Sequence, residues 1–222
     1  MQSIDVAGAI IWIALFFLVA GPVHECAHAF TALRLGDSTA KLFGRVSLDP
    51  FVHFDPVGGT LLAASVLLSL AAGGGGIGFG WAKPTPVNPY NLRGRYADAR
   101  VAAAGPLSNL VLAAAFAIGF RILWADGIDP TNTSAINMLQ LVFFTGVSLN
   151  VILMLFNLIP VTPLDGSHVL LDLLDARTAR QVKEFMDQYG LYLLIGVVLL
   201  AGRIIGPVYK PIVSLLIGVQ VY

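Results

Sequence analysis

The stretch from Gly21 to Phe30, GPVHECAHAF, sets two histidines and a glutamate inside a long apolar run. Histidines four apart on a helix share one face, about one turn from each other, so His24 and His28 can reach a single metal ion together. The intervening Glu25 can then stand over an open coordination position as general base, the H-E-x-x-H arrangement of zinc hydrolases. Cys26 lies two residues from each histidine, points to roughly the opposite face, and is a poor third ligand. A lone histidine on an apolar helix is usually a hydrogen-bonded core residue. Here two of the chain's four histidines and one of its two glutamates fall within five residues. An ionisable group at the centre of a bilayer costs roughly 3 kcal/mol, so such a cluster points to a function.

A hydrolytic metal site needs a third protein ligand and a position left open for water. Asp165, in FNLIPVTPLDGSHVL (156–170), is the candidate. Pro160 and Pro163 break the helix before it and Gly166 loosens the backbone after it. Irregular backbone at membrane depth is tolerated where it lines a cavity. The plain alternative is a helix N-cap, a common job for aspartate. His168, three residues on, can share a face with Asp165 or sit at a surface, and His53 in PFVHFDPVGG reads as a loop cap.

These residues need elements to hold them. Hydrophobic residues are 57% of the 222 and charged residues 12%, with a mean hydropathy of +0.81. A soluble fold of this size cannot hide so much apolar surface. The pattern predicts an all-α polytopic membrane protein, a single domain over 1–222, with five to six spans near 6–33, 57–72, 101–123, 134–158, 189–203 and 207–221. Gly206-Pro207 separates the last two. Short strands are expected beside the site at Lys41–Leu48 and Gly78–Asn88, with ordinary loops as the plain alternative; prolines confine the second to a sheet edge, from which it could capture an unwound substrate by β-addition. The first apolar run lacks a basic leader and reads as a retained span. Zero net charge gives no reason to expect a nucleic-acid partner. Basic residues cluster in 34–45, 83–100 and 177–183, which the positive-inside rule puts in the cytoplasm. Residues 50–80 then make a re-entrant excursion, and His28 lies about 12 Å below the cytoplasmic end of its helix.

HECAH, LGDSTAKLFGRVSLDP, GFGWAKPTPVNP, AAGPLSNL and FNLIPVTPLDGS follow one another over residues 20–170. In this order they resemble the site-2 protease family of intramembrane zinc metalloproteases, the small prokaryotic type without PDZ or CBS modules. The resemblance implies one zinc per chain on His24, His28 and Asp165, and Glu25 as catalytic acid–base. It implies that Asn157 contacts the oxyanion or the substrate backbone, and it marks Asn109 without a mechanism. The expected partners are a transmembrane protein substrate and the lipid bilayer. The expected place is the cell membrane, with the active site toward the cytoplasm. A metal transporter is the rival from another class, although it has no use for a glutamate between two histidines. An inactive scaffold of the same fold is the other rival, although it should have lost Glu25 or a ligand.

Overall fold

The computed structural model describes residues 6–72, 78–125 and 135–219. Helix α1 (Val6–Leu15) runs through a π-helical turn at Phe16–Ala20 into α2 (Gly21–Arg34), which carries the HECAH motif. Pro22 has no N–H to give to Leu18, and the helix passes that position through the wide turn. Short helices α3 (Thr39–Leu42) and α4 (Pro50–His53) lead to α5 (Pro56–Ala71), whose first turn is capped by Asp55. Then follow α6 (Ala97–Ala125), α7 (Ala135–Asn157), α8 (Asp165–Leu173) and α9 (Ala176–Ile217). Among the described residues, four helices are long and apolar enough to cross a membrane: Gly8–Arg34, Ala97–Leu123, Met138–Asn157 and Ala176–Ile217.

Two hydrophobic clusters hold the bundle. Trp12, Phe16 and Ala20 pack with Leu62 and Val66 of α5 and Leu149 of α7. Ala113, Ala117 and Phe120 of α6 pack with Val147 and Val151 of α7 and with Val213 and Ile217 of α9. Helix α7 therefore stands between both clusters, and α6 lies along it with small residues facing inward.

Three expectations need correction. Among the described residues there is no strand. Residues 41–48 hold the end of α3 and a turn at Gly44, whose φ of +69° suits a residue without a Cβ. Residues 78–88 are irregular, because Pro84 and Pro86 remove ladder donors. Four amides of this segment bond the protein itself: Phe79 to Ser65 Oγ, Lys83 to the His53 carbonyl, Thr85 to Glu25 and Asn88 to Asp37. Finally, α9 runs unbroken through Gly206-Pro207 and Pro211. Neighbouring helices let a membrane helix absorb a proline, and Tyr209, Ile212 and Val213 pack on the α6–α7 cluster just beyond that point. The predicted last two spans are one helix.

The path after α5 matters for the site. Helix α5 has 16 residues, about 24 Å of helix against a hydrocarbon core of about 30 Å. Residues 78–83 retrace it. A Cβ on Gly78 would meet Val66, one on Gly80 would meet Leu62, and one on Gly58 would lie 2.2 Å from the Trp81 carbonyl oxygen. Lys83 N then donates to the His53 carbonyl at 2.8 Å. The excursion leaves from His53 and comes back to it.

Candidate metal centre and its supports

On α2, His24 and His28 are both buried, with T-shaped rings whose centroids lie 4.6 Å apart. Each uses Nδ1 on a fixed acceptor. His28 Nδ1 donates to the Val101 carbonyl at 2.7 Å, and His24 Nδ1 donates to Asn109 Oδ1 at 2.6 Å. Both acceptors belong to α6. With Nδ1 carrying the proton, the Nε2 lone pairs of the two rings are aimed into one space.

Asp165 meets them there. It opens α8, and Leu164 occupies the cap position without a side-chain bond. The carboxylate turns instead to the imidazoles, with Oδ2 3.2 Å from His24 Nε2 and Oδ1 3.4 Å from His28 Nε2. Helix α8 is aligned by Asp172, which accepts the Ala99 N–H in the first turn of α6 at 2.9 Å, and by His168, which sits 3.0 Å from Asp98. That bond to Asp98 raises the His168 pKa above the usual imidazole range against the effect of burial. Gly166 permits the tight start of α8, since a Cβ there would lie 2.3 Å from the Leu158 carbonyl oxygen.

The donor set fits a metal ion. The two Nε2 atoms are 3.0 Å apart, and no protein hydrogen fills the gap between them when both Nδ1 atoms are protonated. Two lone pairs and a carboxylate cannot share such a space without a proton or a cation among them. Donors held about 2.0–2.1 Å from a tetrahedral ion stand about 3.3–3.4 Å from one another, close to the separations seen here. His24, His28 and Asp165 are the one such group among the described residues. Gly105 keeps the space clear, because a Cβ on it would fall 2.3 Å from His28 Nε2 and 2.6 Å from His24 Nε2.

Glu25 lies beside this centre on the same helix. The Thr85 amide donates to Glu25 Oε2 at 2.8 Å, and the Thr85 hydroxyl donates to the Glu25 carbonyl at 2.9 Å. The segment that retraces α5 thus ends by holding the carboxylate of the motif. Asn157 is the last residue of α7, and its amide donates to the Leu153 carbonyl within its own helix at 3.0 Å. The site residues read from the sequence therefore divide. His24, His28 and Asp165 converge, Glu25 is poised next to them, and Asn157 is engaged with its own helix. Asn109 gains a physical role as the partner of His24, and His53 pins the loop through its Nε2 bond to the Ser47 carbonyl.

Sequence reasoning passed over Thr85, Gly105, Asp172 and Asn150. Asn150 accepts from Asn109 Nδ2 at 2.8 Å and is fully buried. A single carboxamide in the middle of the apolar run VSLNVILML was the signal that could have found it.

The profile of peptidase family M50 matches residues 123–201, which include Asn157 and Asp165. A protein of Bacillus subtilis strain 168 named "Putative zinc metalloprotease YwhC" is 35% identical over 202 residues, covering 88% of this chain and 84% of its own length. The chain belongs to peptidase family M50, the site-2 protease family. Proteins named Rip2 are similar too. The one from Mycolicibacterium smegmatis is 31% identical over 88% of this chain and 69% of its own, and the one from Mycobacterium tuberculosis strain H37Rv is 30% identical over 94% and 76%. No solved structure matches the chain at the same standard. With four helices of spanning length, this M50 chain is an integral membrane protein.

Proposed function

We propose that this single domain is an intramembrane zinc metalloprotease that hydrolyses peptide bonds in or beside the transmembrane segments of its substrates. The observation that carries the reading is the convergence of His24 Nε2, His28 Nε2 and the Asp165 carboxylate within 3.4 Å of one another. These three residues would hold one zinc ion, which when bound supplies a Lewis acid for the scissile carbonyl and the attacking water. Glu25 takes the proton from that water on its carboxylate and returns it to the leaving amine. Thr85 keeps the carboxylate turned toward the segment beside the site while it waits. Asn157 gives up its bond to Leu153 and donates to the developing oxyanion, where one placed donor is worth about 3 kcal/mol. A membrane helix hides every backbone carbonyl in its own hydrogen bonds, so the substrate unwinds locally before attack. The site lies toward the cytoplasmic side of the cell membrane, a placement that the basic residues of the adjoining loops support.

Glu25→Gln separates this reading from transport. The variant keeps the shape and all three ligands, so zinc content stays at one per chain. Cleavage of single-span membrane substrates in liposomes falls by 10²–10⁴-fold or more, since the same group serves both proton transfers. Zinc-loaded Glu25→Gln that cleaves as fast as the parent would remove the protease mechanism. Flux of a transported metal would not depend on this proton shuttle.

A further inference from the structure

Behind His24 runs a buried chain of hydrogen bonds that crosses three helices. His24 Nδ1 meets Asn109 Oδ1 at 2.6 Å, Asn109 Nδ2 donates to Asn150 Oδ1 at 2.8 Å, and Asn150 Nδ2 donates to the Gly146 carbonyl at 2.8 Å. Asn109 and Asn150 are both 0% exposed. An amide can be turned either way by its own chemistry, and an imidazole can carry its proton on either nitrogen. A backbone carbonyl can only accept. The Gly146 oxygen therefore obliges Asn150 to present its NH2 there and its oxygen toward Asn109. Asn109 must then present its NH2 to Asn150, where a second, longer contact of 3.5 Å to the Ala20 carbonyl also demands a donor. That leaves the Asn109 oxygen facing His24, which accepts only from a protonated Nδ1. The direction of every bond follows from one acceptor on α7.

We infer that Asn150 is a positioning residue for the metal centre, acting through Asn109 to hold His24 in the tautomer whose bare Nε2 faces His28 and Asp165. This rests on the metal reading proposed above. Without Asn150 the Asn109 NH2 loses its strongest partner inside an apolar helix pair, and the amide is free to turn over. A turned amide offers its NH2 to His24 Nδ1, which favours the other tautomer and places a proton where a ligand lone pair is needed. His28 has no such dependence, because a main-chain carbonyl holds its Nδ1 directly. Partners of this kind behind a ligating histidine change metal affinity by 10–100-fold when removed.

The test is zinc affinity of the purified full chain in detergent, measured by competition with a chromophoric chelator, for wild type, His24→Ala, Asn109→Leu, Asn150→Leu and the Asn109→Leu/Asn150→Leu double variant. Asn109→Leu and Asn150→Leu each weaken zinc binding by about 10–100-fold. The double variant binds no more weakly than Asn109→Leu alone, because Asn150 reaches the metal only through Asn109. Nitrogen-15 spectra of labelled histidine in the metal-free protein add a second readout: a single Nδ1–H signal for His24 in wild type becomes a tautomer mixture in Asn150→Leu. Should Asn150→Leu fail to fold, Asn150→Ser, too short to reach Asn109, takes its place in both measurements. Wild-type affinity in the Asn150 variant, or losses that multiply in the double variant, overturns the inference and leaves the metal reading standing. Zinc binding that survives His24→Ala undamaged overturns both.

Discussion

Position 105 carries no side chain, and the two imidazoles depend on that. A Cβ there would stand 2.3 Å from His28 Nε2, well inside contact distance, while both rings are held from behind by α6 itself. Gly105→Ala should therefore lose zinc although no ligand is altered. Elemental analysis of the purified variant is expected to fall well below one zinc per chain, with the helical circular dichroism unchanged. Full occupancy would mean that α6 can retreat from α2 without cost. A second residue acts outside the membrane spans. Asp37 is completely buried and accepts from Thr39 N, Thr39 Oγ, Asn88 N and Asn91 Nδ2. Burial opposes its charge, but these donors outweigh it and hold the pKa down to about 2. A depressed pKa means that stability is present above the ordinary carboxylate value near 3.9 and is lost as pH falls toward 2. Asp37→Asn should lower stability at neutral pH by about 1–3 kcal/mol. The gap from wild type should narrow between pH 4 and pH 2 in thermal melts. A gap that stays constant over that window would deny the charge its role.

Helix α5 and the segment that retraces it form the element that delivers Thr85 to Glu25. Their contact is backbone against backbone, since Gly58 faces the Trp81 carbonyl at a distance no Cβ fits. Gly58→Ala should push the segment away at a cost of about 1–3 kcal/mol. It should reduce the cleavage rate and leave zinc affinity near wild type, because His24, His28 and Asp165 are held by α6 and α8. Loss of zinc in that variant would show the segment to be a support of the metal as well. This contact was not legible in GFGWAKPTPVNP. The stretch suggested an extended piece that its prolines would confine to a sheet edge, and what the prolines leave is a path whose amides bond a serine, a carbonyl and two carboxylates. The convergence of His24, His28 and Asp165 was legible, because i, i+4 spacing fixes two donors on one face and that pair tips the proline-flanked Asp165 from a helix cap to a third donor. Asn150 was not, since only the three-dimensional crossing of α6 and α7 makes it a partner of the site.

Across the whole molecule the apolar runs gave away the spans, while Gly206-Pro207 misled by suggesting a break that packing on α6 and α7 overrides. Helix α9 has 42 residues, about 63 Å, roughly twice the hydrocarbon thickness. Its first turns carry Arg177, Arg180, Lys183, Glu184 and Asp187, charges that favour water or headgroups over hydrocarbon. With the four spans found among the described residues and an excursion that returns to its origin, we propose that the loops at 37–50, 83–98 and 176–185 share one side, which the positive-inside rule makes the cytoplasm. Single cysteines at Leu48, Tyr90 and Ala176, in a Cys26→Ala background, should react with an impermeant thiol reagent from the cytoplasmic face of inverted vesicles. All three positions are exposed. Labelling of Tyr90→Cys from the opposite face alone would mean that residues 54–83 cross the bilayer once.

The partner of the Glu25 carboxylate is a main-chain N–H, and that gives position 85 an unusual relation to the genetic code. Nearly every replacement leaves the donor in place, so the residue can drift while the bond survives. Proline alone abolishes it. Every threonine codon becomes a proline codon by a single change at its first base. One transversion would then join Pro84 and Pro86 into an unbroken run of three and silence the donor, an inactivating allele hidden among otherwise tolerated neighbours.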